Sequence, residues 1–272
     1  MEFPGFYGNE QLKMNLSAAI DRGQSGHFYL ISGPAGSGKK TLARILMAAL
    51  LCGCPGARPC GTCSQCRKAL SGNHPDLITV DDDEHKTIPV ALIRQTRSDL
   101  FIRPNEGNKK IYYIPRSQDL GIPGQNALLK VLEEPPGYGV FILLTDNPDK
   151  LLPTVRSRCT ELKMQPLSPD VLSAQLARKY PQADAQTLQA AISRCGGWMG
   201  QAEELLTAGS LWLEETIAFA RCYGHKDHPG LLRLLVPMEK KKRDGLIPVF
   251  TQWRELLSSA LLCRAGLPPL DP

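Results

Sequence analysis

The run Gly33-Pro34-Ala35-Gly36-Ser37-Gly38-Lys39-Lys40-Thr41 constrains this chain more than any other stretch. It follows an apolar segment, His27 to Ser32, and opens a helical pattern from Thr41 to Leu51. A glycine-rich turn between a strand and a helix gathers backbone N–H groups and the positive end of the helix dipole around one point, which makes a cradle for phosphate. Gly33, Gly36, Ser37, Gly38, Lys39, Lys40 and Thr41 are therefore the candidate nucleotide-binding residues. A tight connection that holds no ligand is the competing reading of the same glycines. The run departs from a complete phosphate loop at Lys40, where a Ser or Thr hydroxyl would ligate the magnesium that bridges the last two phosphates. Thr41 stands one residue further on, and one helical step turns a side chain through about 100°. A second departure follows the apolar strand Lys110 to Ile114 (KIYYI): the chain continues Pro115-Arg116, where an Asp-Glu pair would hold magnesium and poise water. Together they predict a nucleotide fold with impaired hydrolysis of its own.

Strand and helix signals alternate after the loop. Leu77 to Val80 reads as a strand, Pro89 to Phe101 as a helix, Lys110 to Ile114 as a strand, Gly124 to Leu132 as a helix, and Val140 to Thr145 and Thr160 to Lys163 as strands. Such alternation predicts a parallel sheet covered by helices. Glu133-Glu134-Pro135-Pro136 ends its helix, because proline lacks a donor and disfavours helix in the residue before it. Ser168-Pro169 reads as a helix cap and first turn and marks a domain boundary. Beyond it only helical periodicity is found, at Ser168 to Lys179, Ala185 to Arg194, Met199 to Leu206, Leu211 to Tyr223 and Ile247 to Cys263. A chain of 272 residues is long enough for two or three domains.

Five of the nine cysteines crowd into Cys52 to Cys66. Cys60-x2-Cys63-x2-Cys66 sets three thiols on tight turns, and Cys52 or Cys54 can complete a four-sulfur shell around Zn²⁺. In a reducing compartment a metal is favoured over disulfides, with a redox-active pair as the alternative. Cys159, Cys195, Cys222 and Cys263 are scattered singly and read as small buried hydrophobes. Lysine and arginine number 32 against 27 acids, a net charge of +5, which does not by itself argue for nucleic acid. Arg94, Arg97, Arg103, Lys109 and Lys110 do gather, either as a solvated helix face or as a face toward DNA. A module contacting DNA directly through its cysteine cluster finds only Arg58 and Arg67 nearby. No apolar run reaches the length of a membrane span and Met1 to Gly8 lacks a signal pattern, so no membrane partner and a cytoplasmic location are expected.

Four stretches, GPAGSGKKTLA, CGTCSQC, Gln125 to Pro136 (QNALLKVLEEPP) and Ser157-Arg158-Cys159, occur in an order that resembles the AAA+ clamp-loader family of bacterial DNA polymerase III. They cover residues 1 to about 165. The resemblance implies an α/β fold: an AAA+ phosphate-loop core over 1–165 with an inserted zinc module at 52–66, an all-α three-helix lid over 166–208, and the start of a helical collar over 209–272 that is short enough to be truncated. It implies structural zinc on Cys52, Cys60, Cys63 and Cys66, with Cys52 as first ligand because it follows the apolar helix end Ala48 to Leu51 and Cys54 spare. It assigns Arg158 to the ATP site of a neighbouring subunit, Thr145 to a γ-phosphate sensor position, and Gln201 to a lid position where hydrolysing subunits carry arginine. ATP or ADP would bind weakly or be absent. The partners implied are motor (gamma/tau-type) and delta-type subunits in a hetero-pentamer, with the sliding clamp and primer-template DNA reached through that complex. The chain would be the non-hydrolysing, stator-like member, and the ATP-hydrolysing motor is the alternative.

Overall fold

The computed structural model describes residues 1–82, 84–133, 135–207 and 212–266, apart from the side chain of Asp244. Glu134 of the helix-ending motif, the last residue of the 166–208 span, and both ends of the 209–272 span (including Leu211, which opens a helix in the sequence reading) lie outside the described residues. The chain forms two compact units, Met1–Ser168 and Pro169–Pro272.

The first unit is built on five parallel strands, β1 (Phe28–Ser32), β2 (Leu77–Thr79), β3 (Lys110–Ile114), β4 (Gly139–Thr145) and β5 (Thr160–Lys163), in the order β2-β3-β4-β1-β5. Parallel strands covered on both faces read as continuous apolar runs, and β1 and β4 are buried at every residue. The edge strands β2 and β5 are shorter and carry polar residues, as suits a sheet margin. Tyr112, Phe141 and Phe28 stand opposite one another on the three central strands, and their rings stack at 4.8 and 5.1 Å. This row is the centre of the core.

The helices of this unit are α1 (Glu10–Asp21), α2 (Lys39–Leu51), α3 (Ser64–Ser71), α4 (Val90–Leu100), α5 (Ile122–Glu133) and the single turn α6 (Pro153–Arg156). α2 begins at Lys39, two residues before the start expected from periodicity, because Gly38 at φ +89° closes the turn and leaves both lysines in the first helical turn. α1 and α3 are absent from the sequence reading. Each buries only two residues, Leu16 and Ile20 in α1 and Cys66 and Ala69 in α3, too few to set up a periodic stripe. Between α4 and β3 the chain wraps around the fully buried Asp76. Burial pushes this carboxyl up, but N–H groups of Asn105, Glu106 and Gly107 at 2.5 to 2.9 Å outweigh that and hold it below the usual range.

The basic residues gathered in the sequence do not share one face. Lys110 is buried, with Nζ 2.9 Å from Asp99 Oδ2 and bonded to the carbonyls of Asp99 and Ile102, so it is a core ion pair. Arg94 and Arg97 instead line an open groove of about 540 Å³ between α4 and α5, together with Phe101, Asn126 and Lys130. Among the described residues no carboxylate pairs with those three cations.

The second unit is all helix: α7 (Pro169–Lys179), α8 (Ala185–Arg194), α9 (Met199–Thr207), α10 (Glu214–Gly224), α11 (His228–Met238) and α12 (Arg243–Arg264). Leu172, Leu176, Ala191, Ile192, Cys195 and Ala202 form the buried face of the first three. Trp253 of α12 stacks on Phe219 of α10 at 4.1 Å, with Met238 and Val249 completing a smaller core. Two differences from the sequence reading stand out here. α11 went unread, since HPGLLRLLVPM has prolines at both ends, and α12 starts at Arg243 rather than Ile247, accommodating Pro248 in its second turn. Of the single cysteines, Cys195 is buried and Cys159 and Cys222 are half-buried, whereas Cys263 is exposed and so is no core hydrophobe.

Candidate nucleotide loop, cysteine cluster and arginine segment

The glycine-rich loop sits at the C-terminal end of β1, at the sheet edge where the strands deliver their ends into a crevice. Gly36 and Gly38 take φ of +75° and +89°. At Gly33 a Cβ would lie 2.8 Å from Met164 Cβ and 2.9 Å from Ser37 Oγ, so only glycine lets the loop close. Gly33, Gly36, Ser37, Gly38, Lys39, Lys40 and Thr41 are thus one continuous turn and helix start. Ser37 Oγ is buried without a hydrogen-bond partner among the described residues. Lys39 is buried, and its ammonium donates to the carbonyls of Gly33 and Pro34, each at 2.7 Å, and meets Asp146 Oδ1 at 2.6 Å. Lys40, at the magnesium-hydroxyl position, is exposed and Thr41 half-buried.

The strand that should offer acids to magnesium offers a cation. Arg116, just beyond β3, donates from Nε and Nη2 to Asp81 Oδ1 at 3.0 and 2.7 Å and from Nη2 to the Asp82 carbonyl at 2.6 Å, with Asp119 Oδ2 3.7 Å from Nη1. A forked guanidinium on a carboxylate is a strong, oriented pair. It holds Asp81, beyond the edge strand β2, on the arginine. Thr145, fully buried at the end of β4, accepts from Asn147 N–H at 3.1 Å.

Four sulfurs, those of Cys52, Cys60, Cys63 and Cys66, lie within 4.8 Å of one another. Tetrahedral zinc with Zn–S bonds of about 2.3 Å places its sulfurs roughly 3.8 Å apart. Cys60 and Cys66 are already at 3.9 Å. The cluster comes together locally: Cys52 caps the C-terminus of α2, Cys63 caps the N-terminus of α3, and Cys66 lies in the first turn of α3. Backbone N–H groups of Cys63 and Cys66 point at the sulfurs of Cys60 and Cys63, at 3.4 and 3.3 Å. Amides of Cys63 and Thr62 with the Thr62 hydroxyl bring the Cys60 thiol down to about 5, so it is a thiolate at neutral pH. Cys54, with its thiol pushed up to about 12 by hydrogen bonds to Cys60 and Cys63, stands beside the four-sulfur set. The donor set fits zinc with four thiolates and no open position for water.

Arg158 is exposed just past α6, and its guanidinium donates to the Thr154 carbonyl at 3.0 Å. Among the described residues it has no carboxylate within ion-pair distance. Arg156 by contrast pairs with Asp149 at 3.1 Å. One residue that sequence reasoning quoted without a role anchors this segment. Gln125, buried in α5, donates to the carbonyls of Leu120 and Lys150 at 2.9 and 3.0 Å and accepts from Leu152 N–H, the residue capping α6, at 2.7 Å. A glutamine in an apolar helix face is the signal that could have identified it. Gln201 lies in α9 of the second unit.

A family model described as DNA polymerase III, delta subunit, matches residues 8–168, more than half of the chain. The delta' subunit of Pseudomonas aeruginosa is 36% identical over 179 residues, covering 65% of this chain and 54% of that protein. The delta' subunit of Bacillus subtilis is 36% identical over 161 residues, 59% of this chain and 49% of that protein. The gamma/tau subunit of Mycobacterium tuberculosis is 37% identical over 180 residues, 65% of this chain and 31% of that protein. The chain therefore spans about half the length of the delta' relatives and about a third of the gamma/tau relative. Among solved structures, a point mutant of RuvB from Thermotoga maritima superposes with a TM-score of 0.51 at 15% identity, over 93% of this chain and 89% of that one, a likeness of fold. With the parallel phosphate-loop core, the cysteine cluster and the all-helical second unit in place, the chain belongs to the clamp-loader family of DNA polymerase III and is close to its delta' subunits.

Proposed function

We propose that this protein is the stator-like, delta'-type subunit of a clamp loader, which hydrolyses no ATP and supplies Arg158 to the ATP site of a neighbouring motor subunit. The observation that carries the reading is Arg116. At the end of β3 it replaces the magnesium acids with a guanidinium and ties up Asp81. With Lys40 where a magnesium hydroxyl belongs, the site lacks two of the groups that phosphoryl transfer needs. Nucleotide, ATP or ADP, binds weakly or not at all, and zinc on Cys52, Cys60, Cys63 and Cys66 is structural. The helices of 166–208 serve as lid and those of 209–272 as the start of a collar. Through the collar the protein joins gamma/tau-type motors and a delta-type subunit in a cytoplasmic hetero-pentamer that loads the sliding clamp on primed DNA. The cations Arg94, Arg97 and Lys130 in the groove between α4 and α5, which have no carboxylate partner among the described residues, suit a phosphate-rich partner such as primer-template DNA. Identity of 37% to a gamma/tau subunit is the specific observation that favours the motor alternative.

Assembly tests this directly. Mixed with gamma/tau-type and delta-type subunits, the chain should co-elute as one complex whose native mass contains a single copy of it. A complex of motor and delta-type subunits that excludes the chain, or takes several copies of it, would remove the stator role.

A further inference from the structure

The cation that should greet a phosphate in this loop is already neutralised by the chain itself. An ammonium has three protons, and three oxygens surround that of Lys39: the carbonyls of Gly33 and Pro34 at 2.7 Å and Asp146 Oδ1 at 2.6 Å. The acid is carried there by the sheet. Ser32 and Thr145 are opposite in register on β1 and β4, so the residues that follow them, the loop's Gly33 and the acid Asp146, leave the sheet side by side. Gly33 N–H donates to the Thr145 carbonyl at 3.2 Å, which fixes that adjacency by one more backbone bond. The lysine side chain is 10% exposed and the aspartate 50%. The carboxylate is thus the more solvent-exposed partner of the pair.

We propose that Asp146 is a tethered stand-in for phosphate, which sets the nucleotide affinity of this site by competing with the phosphates of a nucleoside di- or triphosphate for Lys39. The inference rests on the reading of Gly33 to Thr41 as a phosphate loop and adds an affinity-determining residue to it. A nucleotide that takes Lys39 must break the ion pair and then hold its phosphates near a carboxylate rooted one residue past the end of β4. Like charges that close repel strongly where solvent is partly excluded. Phe6 and Met164, against the Gly38 turn, help shield the loop. Neutralising the aspartate removes both costs and leaves the loop glycines and Lys39 untouched.

The test is equilibrium binding of ADP, with and without magnesium, to the full chain by titration calorimetry, each variant's folding being checked by its melting temperature. Asp146→Asn should bind ADP at least about tenfold more tightly than the parent, a gain in the range of a hydrogen bond to a charged group. That gain should vanish in the Asp146→Asn, Lys39→Met double variant. Asp149→Asn, which removes an exposed carboxylate paired with Arg156, should change nothing. Equal or weaker binding by Asp146→Asn overturns the proposal, as does an equal gain from Asp149→Asn, which would indicate general charge, or a gain that survives the loss of Lys39. Absence of ADP binding in every variant overturns it together with the phosphate-loop reading. ADP bound by the parent and Asp146→Asn with equal affinity overturns the proposal alone.

Discussion

Replacing Arg158 with alanine is expected to slow ATP hydrolysis at one neighbouring subunit's site by roughly 10³- to 10⁵-fold while the complex still assembles. The side chain is exposed, carries no ion pair among the described residues, and is presented by a segment whose backbone is pinned from inside by Gln125. Such a guanidinium is free to be desolvated by a partner and to stabilise charge developing on a transferred phosphoryl group. If the motor sites fire independently, total turnover falls by the share of the one site served; if they fire in sequence, the whole cycle stalls. Arg158→Lys should not restore activity, because an ammonium lacks the planar fork. The readout is DNA- and clamp-stimulated ATPase of the reconstituted complex, with assembly followed by gel filtration. Unchanged turnover in an assembled Arg158→Ala complex would return this arginine to the surface.

Loss of zinc is the second large effect. The purified chain should carry one zinc, and Cys66→Ser, which removes a fully buried sulfur in α3, should release it. Apparent binding free energies of structural zinc reach about 10–16 kcal/mol in small metal-dependent folds, so residues 52–71 should lose amide-exchange protection while the sheet keeps its own. Removing the metal with a chelator should reproduce the pattern. Cys54→Ser should keep its zinc, since Cys54 lies outside the four-sulfur set. Stoichiometric zinc in Cys66→Ser would refute four-thiolate coordination. Zinc lost from Cys54→Ser but kept in Cys52→Ser would make Cys54 the ligand.

What could be read from the sequence was what local rules govern. β1 and β4 announced themselves as apolar runs, the loop by its glycines between strand and helix, and the metal set by cysteines at turn spacing. These signals are carried by residues within about fifteen positions of one another. The electrostatics was not legible, because its partners are far apart in the chain. Nothing in Pro115-Arg116 says that Arg116 turns to Asp81, 35 positions earlier, and nothing near Lys39 names Asp146. Lys110 illustrates the opposite error: grouped by sequence with exposed cations, it is withdrawn into the core by Asp99 and two carbonyls. α3 was missed because it buries only Cys66 and Ala69, and α11 because paired prolines conceal the apolar period on which helix recognition depends. Gln125 stood in a recognised motif, yet its task, holding the carbonyl of Lys150 and the amide of Leu152, exists only once α5 packs against α6.

If this chain completes another subunit's active site and has none of its own, steady-state ATP turnover of the chain alone and in complex should show it. The isolated protein, with magnesium, is predicted to hydrolyse no ATP above background. Titrated into motor and delta-type subunits, it should raise their DNA- and clamp-stimulated turnover until one copy per complex is reached. Robust magnesium-dependent hydrolysis by the chain alone, abolished by Lys39→Ala, would contradict the account and make this subunit a motor.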